Sequence, residues 1–67
     1  MLHERLKLLR LEKGCTLKFV ADYFNVSIRT ISRYEDGTRE PSIDTLLKFC
    51  DFYDVSADYL IGRSDNY

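Results

Sequence analysis

The 67-residue sequence has few of the residues from which metal sites and active sites are commonly built. It contains one histidine, His3, and two cysteines, Cys15 and Cys50, which form no C-x-x-C pair. This scarcity argues against a zinc site, and we expect neither a metal nor a cofactor. The sequence also lacks paired carboxylates, a Ser/His or Cys/His set and a Gly-rich phosphate loop. We therefore expect a protein that is not an enzyme, with two free thiols serving as small apolar side chains.

Long hydrophobic runs are also missing. No stretch approaches the roughly 20 apolar residues of a membrane span, and Met1-Leu2 leads directly into a charged amphipathic segment instead of a signal peptide. We therefore expect a cytoplasmic location and no membrane partner. The formal net charge of −1 argues at first against a nucleic-acid ligand. However, residues 1–43 hold eight Lys/Arg against six Asp/Glu, whereas residues 44–67 hold two against five, so one face can still bind phosphate.

The spacing of apolar residues and helix caps predicts an all-α fold without strands. Five helices are expected, at Leu2–Lys13, Leu17–Phe24, Ile28–Glu35, residues 43–53 and Ala57–Ile61. Gly14 is a natural end for the first helix. Hydroxyl residues stand where N-caps would begin the other four, at Thr16, Ser27, Ser42 and Ser56. Residues 1–62 would form the domain, and residues 63–67 a frayed C-terminal tail.

Periodicity also predicts which side chains are buried. The first helix would bury Leu2, Leu6 and Leu9, and the second Val20, Ala21 and Phe24, with Leu17 on the same side. The predicted buried face of the fourth helix consists of Ile43, Leu46, Leu47, Cys50 and Tyr53.

The second and third helices are separated by a three-residue turn, which is the arrangement of a helix-turn-helix. A close crossing of two helices needs a small residue in the first one, and Ala21 supplies it. The turn needs a residue that tolerates positive φ, which Asn25 does. The second helix needs a branched apolar side chain that points back into the crossing, and we assign this role to Ile31, helped by Val26. The structural residues of the motif would then be Ala21, Asn25, Val26, Ile31 and Tyr34.

Residues 5–62 resemble the Cro/C1-type (XRE-like) repressor DNA-binding domain. The resemblance runs through Arg5-Leu6-Lys7, Lys13-Gly14, Asn25-Val26-Ser27, Ile31-Ser32-Arg33-Tyr34-Glu35, Gly37, Arg39-Glu40-Pro41-Ser42 and residues 55–62. It implies a five-helix, lambda-repressor-like DNA-binding domain whose third helix lies in the major groove of a palindromic operator, usually as a homodimer. The implied function is a transcriptional regulator, in particular a repressor.

The outward residues near the start of the third helix are the expected base contacts: Ile28, Arg29, Ser32 and Arg33. Each arginine offers a bidentate contact to guanine, and the alternative is that both contact only phosphate or solvent. Ile28 offers an apolar contact to a thymine methyl group. The expected DNA backbone contacts are Thr16, Leu17, Lys18, Ser27, Thr30, Thr38 and Arg39. The family usually has Gln at position 17, so Leu17 removes one of its polar contacts.

The resemblance further implies a partly buried ion pair between Arg10 and Glu35, for which the alternative is two solvated charges. It places the dimer interface at Val55, Ser56, Ala57, Asp58 and Tyr59.

Three hydrophobic residues, Leu8, Leu11 and Phe52, stand where the family usually has polar or small ones. They predict either extra core contacts, for instance beneath the tail or the last helix, or a surface for a second subunit or a protein partner. The alternative function is accordingly a protein-interaction module on the same fold, such as an antitoxin-like or regulatory-partner domain.

Overall fold

The computed structural model describes all 67 residues and contains five α-helices and no strand. The helices are α1 (Leu2–Lys13), α2 (Leu17–Phe24), α3 (Ile28–Asp36), α4 (Ile43–Tyr53) and α5 (Ala57–Leu60). The predicted all-α, five-helix fold is confirmed. α3 is one residue longer and α5 one residue shorter than the sequence predicts. None of the helices has the length and apolar character needed to cross a lipid bilayer.

Local capping chemistry sets where four of the helices begin. The Thr16 hydroxyl accepts a hydrogen bond from the Phe19 N–H at 3.0 Å. Ser27, Ser42 and Ser56 accept the equivalent bond from the N–H three residues later. Such a cap stabilises a helix by about 1 kcal/mol relative to alanine. Because each cap is a property of the adjacent sequence, the predicted helix starts agree with the structure.

The core lies where the five helices meet. Its most completely buried large side chains are Leu6, Val20, Ile31, Phe49 and Leu60. The ring centroid of Phe49 lies 4.3 Å from that of Phe24 and 5.9 Å from that of Tyr34. Aromatic pairs at these separations add to the stabilisation from apolar burial. These rings therefore join α2, α3 and α4 into one core.

The buried face of α4 differs from the predicted one. Ile43 is 75% exposed and Leu47 is half exposed, whereas Phe49 is buried. α4 is apolar around most of its circumference, so its periodicity does not specify a single buried face. The helix instead turns Phe49 inward because this ring packs against Phe24 and buries more apolar area than an aliphatic side chain would. The prediction that Ile43 and Leu47 belong to the core is therefore wrong.

Residues 63–67 contact the domain although most of them are exposed, and the frayed tail stays a prediction. The guanidinium of Arg5, in α1, donates hydrogen bonds to the backbone carbonyls of Tyr59 and Ser64. Its Cζ lies 4.2 Å from the centroid of the Tyr59 ring. Tyr67 packs on the same ring, with 4.6 Å between the two ring centroids. The tail is held by contacts with residues far away in sequence, which local patterns do not reveal.

The three unexpected hydrophobic residues have different environments. Phe52 is half-buried and packs against α2, where its ring centroid lies 4.6 Å from that of Tyr23. Leu8 and Leu11 are exposed on α1. Phe52 therefore makes packing contacts with α2, and a partner surface at Leu8, Leu11 and Phe52 stays a prediction.

Candidate nucleic-acid interface

α2 and α3 form the predicted motif. Ala21 and Ile31 are buried, with 1% and 0% of their surface exposed, as expected where two helices cross closely. Asn25 ends α2 in the left-handed conformation, with φ 56° and ψ 46°. The Val26 N–H donates to the Ala21 carbonyl at 3.0 Å and closes the turn. Ile31 is completely buried at the crossing, whereas Val26 is 38% exposed, and its supporting role stays a prediction.

α3 separates its residues into two faces. Tyr34 is buried on the inner face. On the outer face Ile28, Arg29 and Arg33 are exposed, and Ser32 is half-buried. Neither arginine forms an ion pair, and neither side chain makes a hydrogen bond. This face therefore presents two unpaired cations beside one exposed aliphatic side chain.

The predicted phosphate contacts at the helix starts flank this face. The hydroxyls of Thr16 and Ser27 are engaged as caps, but helix N-termini carry a partial positive charge that favours phosphate. The Thr30 hydroxyl lies 3.0 Å from that of Ser27. Lys18 donates to Asp22 at 2.8 Å, and this hydrogen bond raises the pKa of the lysine. Asp22 is a partner that our sequence analysis missed, although its i, i+4 spacing from Lys18 indicates it.

The remaining predicted backbone contacts lie after α3 and at the start of α2. Arg39 is exposed, with its Cζ 5.7 Å from the centroid of the Tyr34 ring. The Thr38 hydroxyl donates to the Asp36 carboxylate, and this bond lowers the pKa of Asp36. Leu17 is half-buried and borders a cleft of about 210 Å³ between α1, α2 and α3. An aliphatic side chain there offers apolar contact and no hydrogen bond.

The predicted pair of Arg10 and Glu35 is present. Arg10 Nε donates to Glu35 Oε2 at 2.8 Å, and Nη1 donates to the Cys15 carbonyl at 3.0 Å. Only 11% of the Arg10 side chain and 8% of the Glu35 side chain are exposed. Burial, followed by the nearby Glu35 charge, raises the pKa of Tyr53, whose buried hydroxyl has no hydrogen-bond partner. Arg10 thus connects α3 to α1 and to the turn between α1 and α2.

The segment predicted as a dimer interface is only partly accessible. Val55 and Tyr59 are buried in the core of their own chain, so neither is available to a second copy in this conformation. Ser56 and Asp58 are exposed, and Ala57 is half-buried. An interface through this segment would therefore depend on these three residues.

Two helices that cross at a small residue, with an exposed and partly cationic face on the second, define a helix-turn-helix domain. The sequence matches the helix-turn-helix family over residues 6–60. The chain therefore belongs to the Cro/C1-type helix-turn-helix family, and the resemblance noted in the sequence is confirmed.

Two relatives from Bacillus subtilis illustrate the match. The chain is 42% identical to the HTH-type transcriptional regulator ImmR over 64 residues, which cover 96% of this chain and 50% of ImmR. It is 37% identical to the HTH-type transcriptional regulator AnsR over 60 residues, which cover 90% of this chain and 52% of AnsR. The chain thus spans about half the length of these relatives.

The structure is also similar to a solved one. A transcriptional regulator from Listeria innocua matches with a TM-score of 0.87 and 31% sequence identity. The match covers 92% of this chain and 58% of that chain.

Proposed function

We propose that the chain binds double-stranded DNA sequence-specifically, with α3 in the major groove of a palindromic operator, and acts as a transcriptional repressor. The observation that carries the proposal is the outer face of α3, where Arg29 and Arg33 are exposed and unpaired beside Ile28. The major groove of B-form DNA admits an α-helix and presents a distinct pattern at each base pair. The similarity to ImmR and AnsR, which are named as transcriptional regulators, supports the same function.

The chemistry of this face specifies what it would recognise. Arg29 and Arg33 present guanidinium groups suited to O6 and N7 of guanine, and Ile28 suits a thymine methyl group. The Ser32 hydroxyl donates or accepts, so it favours no particular base. The N-termini of α2 and α3 and the Arg39 side chain would hold the flanking phosphates. Binding without sequence preference depends on a positive charge that attracts the DNA backbone. Because the net charge of the chain is −1, we expect such binding to be weak.

A palindromic operator implies two copies of the chain, related by a two-fold axis. The exposed residues Ser56 and Asp58, with Ala57, offer a small and polar contact, so we expect the homodimer to be weak without DNA. Sedimentation with and without operator tests this expectation. A monomer in the presence of operator would contradict it.

The experiment for DNA recognition begins with selection of bound duplexes from random sequence, which gives the operator, its symmetry and the half-site spacing. Affinity for the selected operator is then measured by fluorescence anisotropy over a range of salt concentrations. Arg29→Ala and Arg33→Ala should each weaken specific binding by about 1–3 kcal/mol and relax the preference at one base position. A reporter gene under the operator tests repression.

Arg63→Ala is the matched control because Arg63 is exposed in the tail and its loss changes the net charge equally. If the two α3 variants bind operator as well as Arg63→Ala does, the assignment of α3 is wrong. Binding that does not weaken with salt would argue against DNA as the ligand, since contacts to phosphate are strongly salt-dependent.

A further inference from the structure

A second exposed surface is formed by residues of α1, α2 and α4, and none of them lies on α3. We call it the aromatic–lysine surface and define it as Lys13, Phe19, Tyr23, Lys48 and Phe52. Phe19 and Tyr23 lie one turn apart on α2, and both rings pack against Phe52 of α4. The ring centroid of Phe52 is 6.4 Å from that of Phe19 and 4.6 Å from that of Tyr23.

The two α2 rings of this surface are not core residues. Phe19 is 55% exposed and Tyr23 is 54% exposed, whereas the neighbouring Phe24 and Phe49 are buried. The core is therefore filled without the exposed rings. Adjacent exposed aromatic side chains are characteristic of surfaces that bind another molecule.

Two ammonium groups lie over rings of this surface. Nζ of Lys13 is 5.4 Å from the centroid of Phe52, and Nζ of Lys48 is 5.6 Å from the centroid of Tyr23. Neither lysine forms an ion pair. The surface thus has an apolar centre and two unpaired positive charges at its rim.

The geometry argues against two occupants. Bases that stack on aromatic side chains need open ring faces, but ammonium groups lie over two of these three rings. A second copy of the chain, placed on this surface by a two-fold axis, would oppose two patches that both carry Lys13 and Lys48, and like charges disfavour that contact.

We propose that the aromatic–lysine surface binds an acidic amphipathic segment of a partner protein, with apolar side chains against Phe19 and carboxylates beside Lys13 and Lys48. This arrangement satisfies both the apolar centre and the charged rim of the surface. It is independent of the DNA-binding proposal, because none of its residues is among the DNA contacts proposed above.

The test uses a designed amphipathic peptide of roughly four helical turns, with leucines on one face and glutamates beside them. In nuclear magnetic resonance spectra of the labelled full chain, we expect the peptide to shift amide signals of α2 and α4. A peptide with glutamine in place of each glutamate should bind about tenfold more weakly, which corresponds to about 1.4 kcal/mol.

Variants then test the two parts of the surface separately. The double variant Phe19→Ser/Tyr23→Ser should lose the acidic peptide, whereas Ile43→Ser should retain it. Ile43 is the matched control because it is 75% exposed on α4 and takes no part in the aromatic contacts. The charge-reversed variant Lys13→Glu/Lys48→Glu should prefer a peptide with lysines in place of the glutamates. Because this outcome is a gain of binding, it does not depend on comparing weakened, poorly folded variants.

Several results would overturn the proposal. One is that the acidic peptide does not bind, and another is that the acidic and glutamine peptides bind with equal affinity. A third is that the amide shifts are centred on helices other than α2 and α4. Loss of self-association in Phe19→Ser/Tyr23→Ser, without any effect on the peptide, would identify a second copy as the occupant. Loss of binding to a single-stranded oligonucleotide in the same variant would identify a nucleic-acid site instead.

Discussion

The ion pair between Arg10 and Glu35 should be essential to the stability of the domain. Both side chains are about nine-tenths buried, so removal of the carboxylate leaves the guanidinium with the Cys15 carbonyl as its one remaining protein acceptor. Breaking a buried pair in this way costs about 3–5 kcal/mol. A chain of this size has a free energy of unfolding of roughly 3–10 kcal/mol. We therefore expect Glu35→Met to remove a large part of this free energy of unfolding.

The expected loss is large enough to measure by both thermal and chemical unfolding. Each kcal/mol lowers Tm by about 4–8 °C in a domain of this size, so Glu35→Met should lower it by roughly 12 °C or more. Urea unfolding, followed by circular dichroism, would give the free energies of Glu35→Met, Arg10→Met and the double variant. The double variant should be more stable than Glu35→Met, because it no longer buries an unpaired charge.

The exposed pair of Lys18 and Asp22 provides the control for this experiment. Its N–O distance is also 2.8 Å, but both side chains are about two-thirds exposed or more. Lys18→Met should therefore have little effect on stability. If Glu35→Met lowers the free energy of unfolding no more than Lys18→Met does, burial does not determine the strength of the Arg10–Glu35 pair and the reasoning fails.

Two further predictions concern Tyr53 and the tail. Because the Tyr53 hydroxyl is buried without a partner, Tyr53→Phe should leave the free energy of unfolding in urea unchanged or raise it by up to about 1 kcal/mol, and a larger loss would contradict this. Burial raises the pKa of Tyr53 above 10.0, so the folded protein keeps a proton that the unfolded chain loses. Stability should therefore fall as pH rises above about 10, and less so in Tyr53→Phe. Arg5→Ala should release residues 63–67 and speed their amide hydrogen exchange while α2 and α3 stay protected, whereas unchanged exchange would refute the role of Arg5.

The parts of the fold that the sequence predicts correctly depend on neighbouring residues. A cap such as Ser27 and a left-handed residue such as Asn25 act within one helical turn, so the helix bounds could be predicted to within one residue. The two faces of α3 could be predicted for the same reason. Once Ile31 is assigned to the crossing, the helical period places Arg29 and Arg33 outside.

The parts that the sequence does not predict depend on competition between distant residues. Which side of α4 is buried depends on whether Phe49 or Ile43 gains more contact with the core. The contact of Phe49 depends in turn on Phe24, which lies on another helix. The tail is contacted by Arg5, which lies near the other end of the chain. A hydrophobic pattern records that a side chain is apolar, but the partner that buries it is decided only in the folded core.

The same distinction separates the two candidate binding surfaces. The outer face of α3 is built from one helix, so its chemistry follows from a short stretch of sequence and one period. The aromatic–lysine surface takes residues from three elements, since Lys13 is in α1, Tyr23 in α2 and Phe52 in α4. In the sequence Phe52 is only an unexpected hydrophobic residue, and Phe19 and Tyr23 are two aromatic residues among nine. Their exposure and the unpaired lysines beside them become evident only when the helices are packed, and for this reason a binding surface assembled from several helices requires the structure.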